Sequence, residues 1–142
     1  MTFQVTPFIT LNGTAREAIR FYESALEARV VFLQTYGEGP EDPAHPLPPH
    51  AKDRVAHSVL RIGEAELFVA DSISDEPNAA GDRLQICITT PDTATSDRFF
   101  KALSEGGQVV MPLQEIYFSP AFGVLTDRFG ITIQIFTPRE QA

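Results

Sequence analysis

Period-two and period-3.6 patterns of apolar residues alternate along this chain in a definite order. Phe3 to Leu11 is rich in β-branched and aromatic residues and reads as a strand, ended by Asn12-Gly13. Ala15, Ala18, Ile19, Tyr22, Ala25 and Leu26 recur with near-helical spacing, which predicts an amphipathic helix running to about Glu27. Thr14 and Glu17 have the spacing of a capping box at its start. Arg29 to Tyr36 is the next strand. Gly37 to His50 holds five prolines, Pro40, Pro43, Pro46, Pro48 and Pro49, and reads as a stiffened loop. Arg54 to Ile62 and Ala65 to Ala70 alternate on either side of Gly63-Glu64, the pattern of a hairpin.

After residues 72–82, rich in turn formers and read as a linker, the order repeats. Arg83 to Thr90 is a strand, with Leu84, Ile86 and Ile88 on one face and Gln85, Cys87 and Thr89 on the other. Asp92 is placed to cap a second helix, whose buried side is read as Phe99, Phe100, Ala102 and Leu103, and Gly106-Gly107 ends it. Gln108 to Tyr117, Phe122 to Thr126 and Ile131 to Phe136 are strands, the last two joined by a turn over residues 127–130. The residues repeat as well as the pattern. Phe21-Tyr22 matches Phe99-Phe100, and the same separation joins the caps Thr14 and Asp92. Val30-Val31 matches Val109-Val110, Leu33-Gln34 matches Leu113-Gln114, Val59-Leu60 matches Val124-Leu125, and Arg61-Ile62-Gly63 matches Arg128-Phe129-Gly130. Matches in unbroken order are the signature of an internal repeat. The expected fold is α+β: two βαβββ units, over about residues 1–71 and 83–142. Neither half buries enough surface to be comfortable alone, so the two sheets are expected to curl around a shared concave cleft with the helices outside.

Composition narrows the function. The chain has 142 residues, 43% of them hydrophobic and 21% charged, as in a globular protein. A formal net charge of -8, from 19 Asp and Glu against 11 Lys and Arg, argues against binding nucleic acid or anionic membranes. No apolar run reaches the roughly 20 residues of a membrane-spanning helix. Met1 to Val5 shows no basic segment leading into an apolar one, so no signal peptide is expected and the expected compartment is the cytoplasm. The single cysteine, Cys87, excludes an intrachain disulfide and a multi-Cys zinc site; it reads as a small buried hydrophobe.

Four segments resemble the PhnB-like branch of the vicinal oxygen chelate superfamily, which includes glyoxalase I, extradiol dioxygenases and bleomycin-resistance proteins. They are Leu11 to Tyr22, His57 to Leu60, Gly106 to Gln114 and Phe122 to Gly130. The branch usually has Phe-Trp-Gly where this chain has Tyr117-Phe118-Ser119, and there is no Trp. The resemblance implies paired βαβββ units and, commonly, a homodimer, which would also cover sheet edges. It implies four strand positions for divalent-metal ligands. Carried over by the repeat, these fall at Pro7, Leu67, Gln85 and Gln134, with Glu66 in place of Leu67 after a one-residue slip. Proline and leucine offer no donor, and two neutral amides do not replace the imidazoles and carboxylates that such ions favour. No tight metal and no other cofactor is therefore expected, and both Gln are read either as weak ligands or as side chains bonded to water or backbone. The branch often carries a methyltransferase label, but the chain has no Gly-rich nucleotide loop.

Other side chains that could carry chemistry are few. His57 and Arg61 share a strand face opposite the greasier Ser58, Leu60 and Ile62, so both are expected toward the cleft or its rim. His57 could serve as acid or base near neutral pH, or be satisfied by a neighbouring group. Glu66 is the reserve acid or ligand. Tyr117 and Phe136 are expected to line the cleft beside the two Gln, whereas Asp71 and Asp127 read as turn formers. His45 and His50 are spaced like a metal pair but lack carboxylate partners. Three functions follow: a metal-free protein binding a small neutral or cationic molecule in an apolar cleft; a metal-dependent lyase, isomerase or oxygenase in which His57 or Glu66 joins Gln85 and Gln134; or a protein acting through protein contacts with a vestigial cleft.

Overall fold

Every small or apolar residue of the predicted first stripe is buried in the helix α1 (Ala15–Leu26), and charged residues cover its other side. The computed structural model describes residues 4, 6–39, 43–44, 46–73, 84–116 and 118–139. In the first unit, Met1–Ala79, α1 lies on a four-stranded sheet of β1 (Phe8–Leu11), β2 (Arg29–Thr35), β3 (Val55–Ile62) and β4 (Ala65–Asp71) in the order β1-β4-β3-β2. β1 is parallel to β4; the other pairs are antiparallel. Ile9, Leu11, Leu60, Leu67 and Val69 form the apolar layer, all at most 7% exposed. Gly63 takes the positive φ (60°) that the two-residue hairpin loop requires.

The second unit, Ala80–Ala142, repeats the plan. α2 (Thr93–Ser104) lies on β5 (Ile86–Thr89), β6 (Gln108–Ile116), β7 (Ser119–Thr126) and β8 (Thr132–Thr137), ordered β5-β8-β7-β6, with β5 parallel to β8. Each unit is thus a βαβββ arrangement on a mixed sheet, as the pattern predicts. Pro112 interrupts β6 without breaking the sheet because β6 is an edge strand and can spare a donor. Gly123 marks a close approach: a Cβ there would stand 2.6 Å from Phe100 Cε2 and 3.0 Å from Leu113 Cα.

The two helix starts use different chemistry. Asp92 accepts the Thr95 N–H at 2.7 Å, as its position predicts. The capping box of α1 does not form: Thr14 makes no side-chain capping bond. Its work is done from across the sheet by Asp71, 3% exposed at the end of β4. Asp71 Oδ1 accepts the N–H groups of Gly13 (2.8 Å) and Ala15 (3.0 Å), and Oδ2 accepts that of Val55 (3.1 Å). Asp71 is therefore a buried fastener, not the turn former its sequence suggests. A carboxylate at a helix N-terminus satisfies orphan donors and favours the helix dipole. In the second unit Thr137 ends β8 in the equivalent place, and a buried hydroxyl cluster replaces the carboxylate: Thr90 to Ser96 and Ser96 to Thr137, each 2.6 Å.

Other boundaries shift by a few residues. Phe3, Val5 and Arg83 of the expected strands lie outside the described residues; the first strand is observed over Phe8–Leu11 and β5 from Ile86. Tyr36 leaves β2 to open a 3-10 turn, Tyr36–Glu38, which Glu38 clamps by accepting the Thr35 hydroxyl at 2.9 Å. Ala102 is half-buried, and Ser96 takes a buried place on α2. The expected linker, residues 72–82, lies largely outside the described residues.

Candidate functional site

A strand buries one face against its helix and leaves alternate side chains on the other. In the first unit that second face is built in rows running across the sheet. Phe8 of β1 stands beside Phe68 of β4, Phe68 beside Val59 of β3, and Val59 beside Phe32 of β2. An apolar row thus crosses all four strands, roughly 14 Å at the usual strand spacing. Phe8 and Phe32 are 55% and 47% exposed. His57 stands one row on, paired with Gln34. Its ring centre is 5.0 Å from that of Phe68, 6.0 Å from Phe32 and 6.3 Å from Phe8, stacked on the last at 23°. On the opposite side of the apolar row Arg61 pairs with Glu66 at 3.3 Å.

The same face of the second unit differs. The row equivalent to Phe8-Phe68-Val59-Phe32 reads Cys87, Gln134, Val124 and Met111. Gln134 Nε2 donates to Gln85 Oε1 at 2.8 Å, so the two amides are paired with one another. The row beyond, Thr89, Phe136, Phe122 and Gln114, is aromatic at its centre, and Phe118 packs its ring 5.2 Å from Phe122 and 6.0 Å from Phe136. Cys87 is exposed rather than buried. Partial desolvation pushes its thiol above the ordinary value, against a smaller opposing effect of Thr89, which makes it a poor nucleophile near neutral pH.

The pairing registers correct the sequence-based ligand positions. Val59-Leu60 matches Val124-Leu125, so the partner of Val59, Phe68, is the counterpart of Gln134. Leu67 is 6% exposed on the helix side and matches Ile133. On β1 the same reasoning makes Thr6, rather than Pro7, the counterpart of Gln85. Neither Phe68 nor the neutral Thr6 hydroxyl improves the donor set, and the one-residue alternative, Glu66, is held by Arg61. Among the described residues no three His, Cys, Asp or Glu side chains converge as metal donors. The residues at the superfamily's ligand positions do not fit a divalent ion.

The structure gathers His57, Arg61 and Glu66 on one face of the first unit, and Gln85, Gln134 and Phe136 on one face of the second. Tyr117 and His45 lie outside the described residues, and His50 is exposed. The sequence reading overlooked Phe8 and Phe68, although the alternation of Glu66, Phe68 and Ala70 against Leu67 and Val69 carries the signal.

The geometry has known counterparts. The structure of protein PA1353 from Pseudomonas aeruginosa superposes with a TM-score of 0.86 at 29% identity, covering 98% of this chain and 100% of that one. A putative 3-demethylubiquinone-9 3-methyltransferase, PhnB protein, from Bacillus cereus gives 0.77 at 26% identity, covering 95% and 99%. A glyoxylase/bleomycin resistance protein/dioxygenase domain from Frankia sp. EAN1pec, at 16% identity, shares the fold with a TM-score of 0.69, covering 100% and 96%. The family model described as 3-demethylubiquinone-9 3-methyltransferase matches residues 3–136. Together with the repeated βαβββ units, that match places this chain in the PhnB-like family so described, on the glyoxalase and bleomycin-resistance fold of the vicinal oxygen chelate superfamily.

Proposed function

We propose that this protein binds a small molecule on its aromatic sheet faces without a tightly held metal. The observation that carries the reading is the Gln134–Gln85 hydrogen bond, in which the ligand-position amides of the second unit use each other as partners. Their counterparts in the first unit, Thr6 and Phe68, supply no charge to balance a divalent ion. Exposed rings beside a few polar groups are the usual lining of a small-molecule site, and the net charge of -8 favours neutral or cationic ligands over polyanions. Methyl transfer gains no support from the residues, because no Gly-rich nucleotide loop is present. The protein is proposed to act as a homodimer, since Val109, Val110 and Met111 are 47%, 61% and 38% exposed on the edge strand β6.

The test is metal analysis of untagged protein, then titration of the apo form with zinc, nickel, iron(II) and manganese, then a small-molecule screen. Weak or absent metal binding with ligands found in the screen is expected. Stoichiometric metal lost in the double variant Gln85→Ala, Gln134→Ala, together with an activity, would overturn the reading.

A further inference from the structure

We propose that the first unit's sheet face takes the flat side of an aromatic or heteroaromatic ring bearing a hydrogen-bonding substituent, with His57 meeting that substituent. This rests on the small-molecule reading above and adds the ligand class and its orientation. Three features of the face select such a ligand. The apolar row Phe8, Phe68, Val59, Phe32 is a continuous hydrophobic strip, one side chain deep along the strands. Polar groups flank it on both sides, Arg61 and Glu66 on one and His57 with Gln34 on the other, so an aliphatic chain lying along the strands would meet a polar or charged group within a residue or two. A planar ring offers apolar area in the strip and can stack or meet ring edges in the offset geometries that aromatic pairs prefer.

His57 is the polar handle. It is half-buried among three phenyl rings, and among the described residues no group hydrogen-bonds either of its ring nitrogens. A neutral imidazole carries one donor and one acceptor, so it can meet a hydroxyl, a carbonyl or a ring nitrogen on the ligand. The repeat supplies an internal contrast. At the position of His57 the second unit has Phe122, and at that of Phe68 it has Gln134. The second face therefore lacks this pairing of an uninterrupted apolar strip with an adjoining imidazole.

The test uses two alcohols matched in size and hydroxyl position, 2-naphthol and its saturated counterpart decahydro-2-naphthol, with naphthalene as the control lacking a hydroxyl, and histidine-labelled protein observed by NMR. Binding of 2-naphthol about tenfold tighter than the saturated alcohol is expected, with a shift of the His57 ring signals. Phe32→Leu, an exposed edge-strand change that leaves the fold intact, should reduce that preference severalfold, and His57→Phe should remove the advantage of 2-naphthol over naphthalene. Equal affinity for the two alcohols, or saturable binding that leaves the His57 signals unmoved, would overturn this assignment while leaving small-molecule binding in place. His57 signals that change with protein concentration and exclude the probe would also overturn it, by showing a second copy on the face. Failure of both probes and of the whole screen would overturn the underlying reading.

Discussion

Asp71 shows how one residue can fasten three parts of a chain. Its carboxylate takes N–H groups from the loop before α1, from the first turn of α1 and from the first residue of β3. Asp71→Ala would strand those buried donors and is expected to cost roughly 3 kcal/mol, read by urea or thermal unfolding. Asp71→Asn keeps one accepting oxygen and should cost less. Beside it, the Tyr36 hydroxyl donates to the Asp71 carbonyl at 2.8 Å. Burial, then the Asp71 charge, push the Tyr36 hydroxyl above its ordinary value, against the pull of Arg54. A group held more protonated in the folded state stabilises fully below its unfolded value and loses that contribution as pH rises through the folded one. Unfolding measured across the alkaline range should therefore show a loss of stability above about pH 10, and Tyr36→Phe should lack that component. An identical alkaline limb in the variant would show that other groups cause it.

At the scale of elements, packing sets the tolerances. Gly123→Ala would drive a methyl into Phe100 and the Leu113 backbone, and is expected to cost about 1–3 kcal/mol by overpacking. Thermal unfolding checks it, with Gly39→Ala in a roomier turn as the control. Asp92 is held below the usual carboxylate range by its bonds with the Thr95 hydroxyl and then the Thr95 N–H. Its contribution is present above the unfolded value and is lost as pH falls through the folded one, so acid titration of Asp92→Ala should lack that part of the acid limb. Helix and strand existence was legible because one face of each element is buried: the stripe from Ala15 to Leu26 and the alternation of Ile133 and Ile135 were readable residue by residue. The cap at Thr14 was not, because Asp71 comes from a distant part of the chain and local spacing does not report it. The ligand positions slipped by one for a related reason. The residues joining β7 to β8 outnumber the two joining β3 to β4, so counting forward from Gly130 and Gly63 lands on the wrong face of β4, and only the pairing register restores it.

For the chain as a whole, duplication left the helix-facing layers alike and let the opposite faces drift. Leu60 and Leu125, Leu67 and Ile133, and Val69 and Ile135 remain large and apolar, because each must fill the space under a helix. Phe8 against Cys87, Phe68 against Gln134 and His57 against Phe122 carry no such duty. Changes at the second set should therefore leave stability nearly untouched. The double variant Gln85→Ala, Gln134→Ala is expected to unfold within about 0.5 kcal/mol of the parent, since it removes one exposed amide pair. Light scattering should give twice the 15.7 kDa chain mass at micromolar concentration, and a monomer throughout would remove the proposed dimer.

The parallel pairing of β1 with β4 also sets a timetable. Residues 8–11 find their hydrogen-bonding partners only at residues 68–71, whereas β2, β3 and β4 meet neighbours next in line. On a growing chain β1 thus emerges before β2, β3 and β4 yet is the last strand of its sheet to be seated, and α1 waits with it, since Asp71 at the end of β4 completes its N-terminus. Closing the longer loop costs entropy before any contact repays it. In pulse-labelled hydrogen exchange during refolding, the amides of β3 and β4 should gain protection before those of β1, Gly13 and Ala15, and β7 and β8 before β5. Simultaneous protection of β1 and β3 would mean that the sheet assembles in one step. Until residue 71 is available, β1 is a strand without a sheet, and its apolar residues are exposed for that interval to whatever else is nearby.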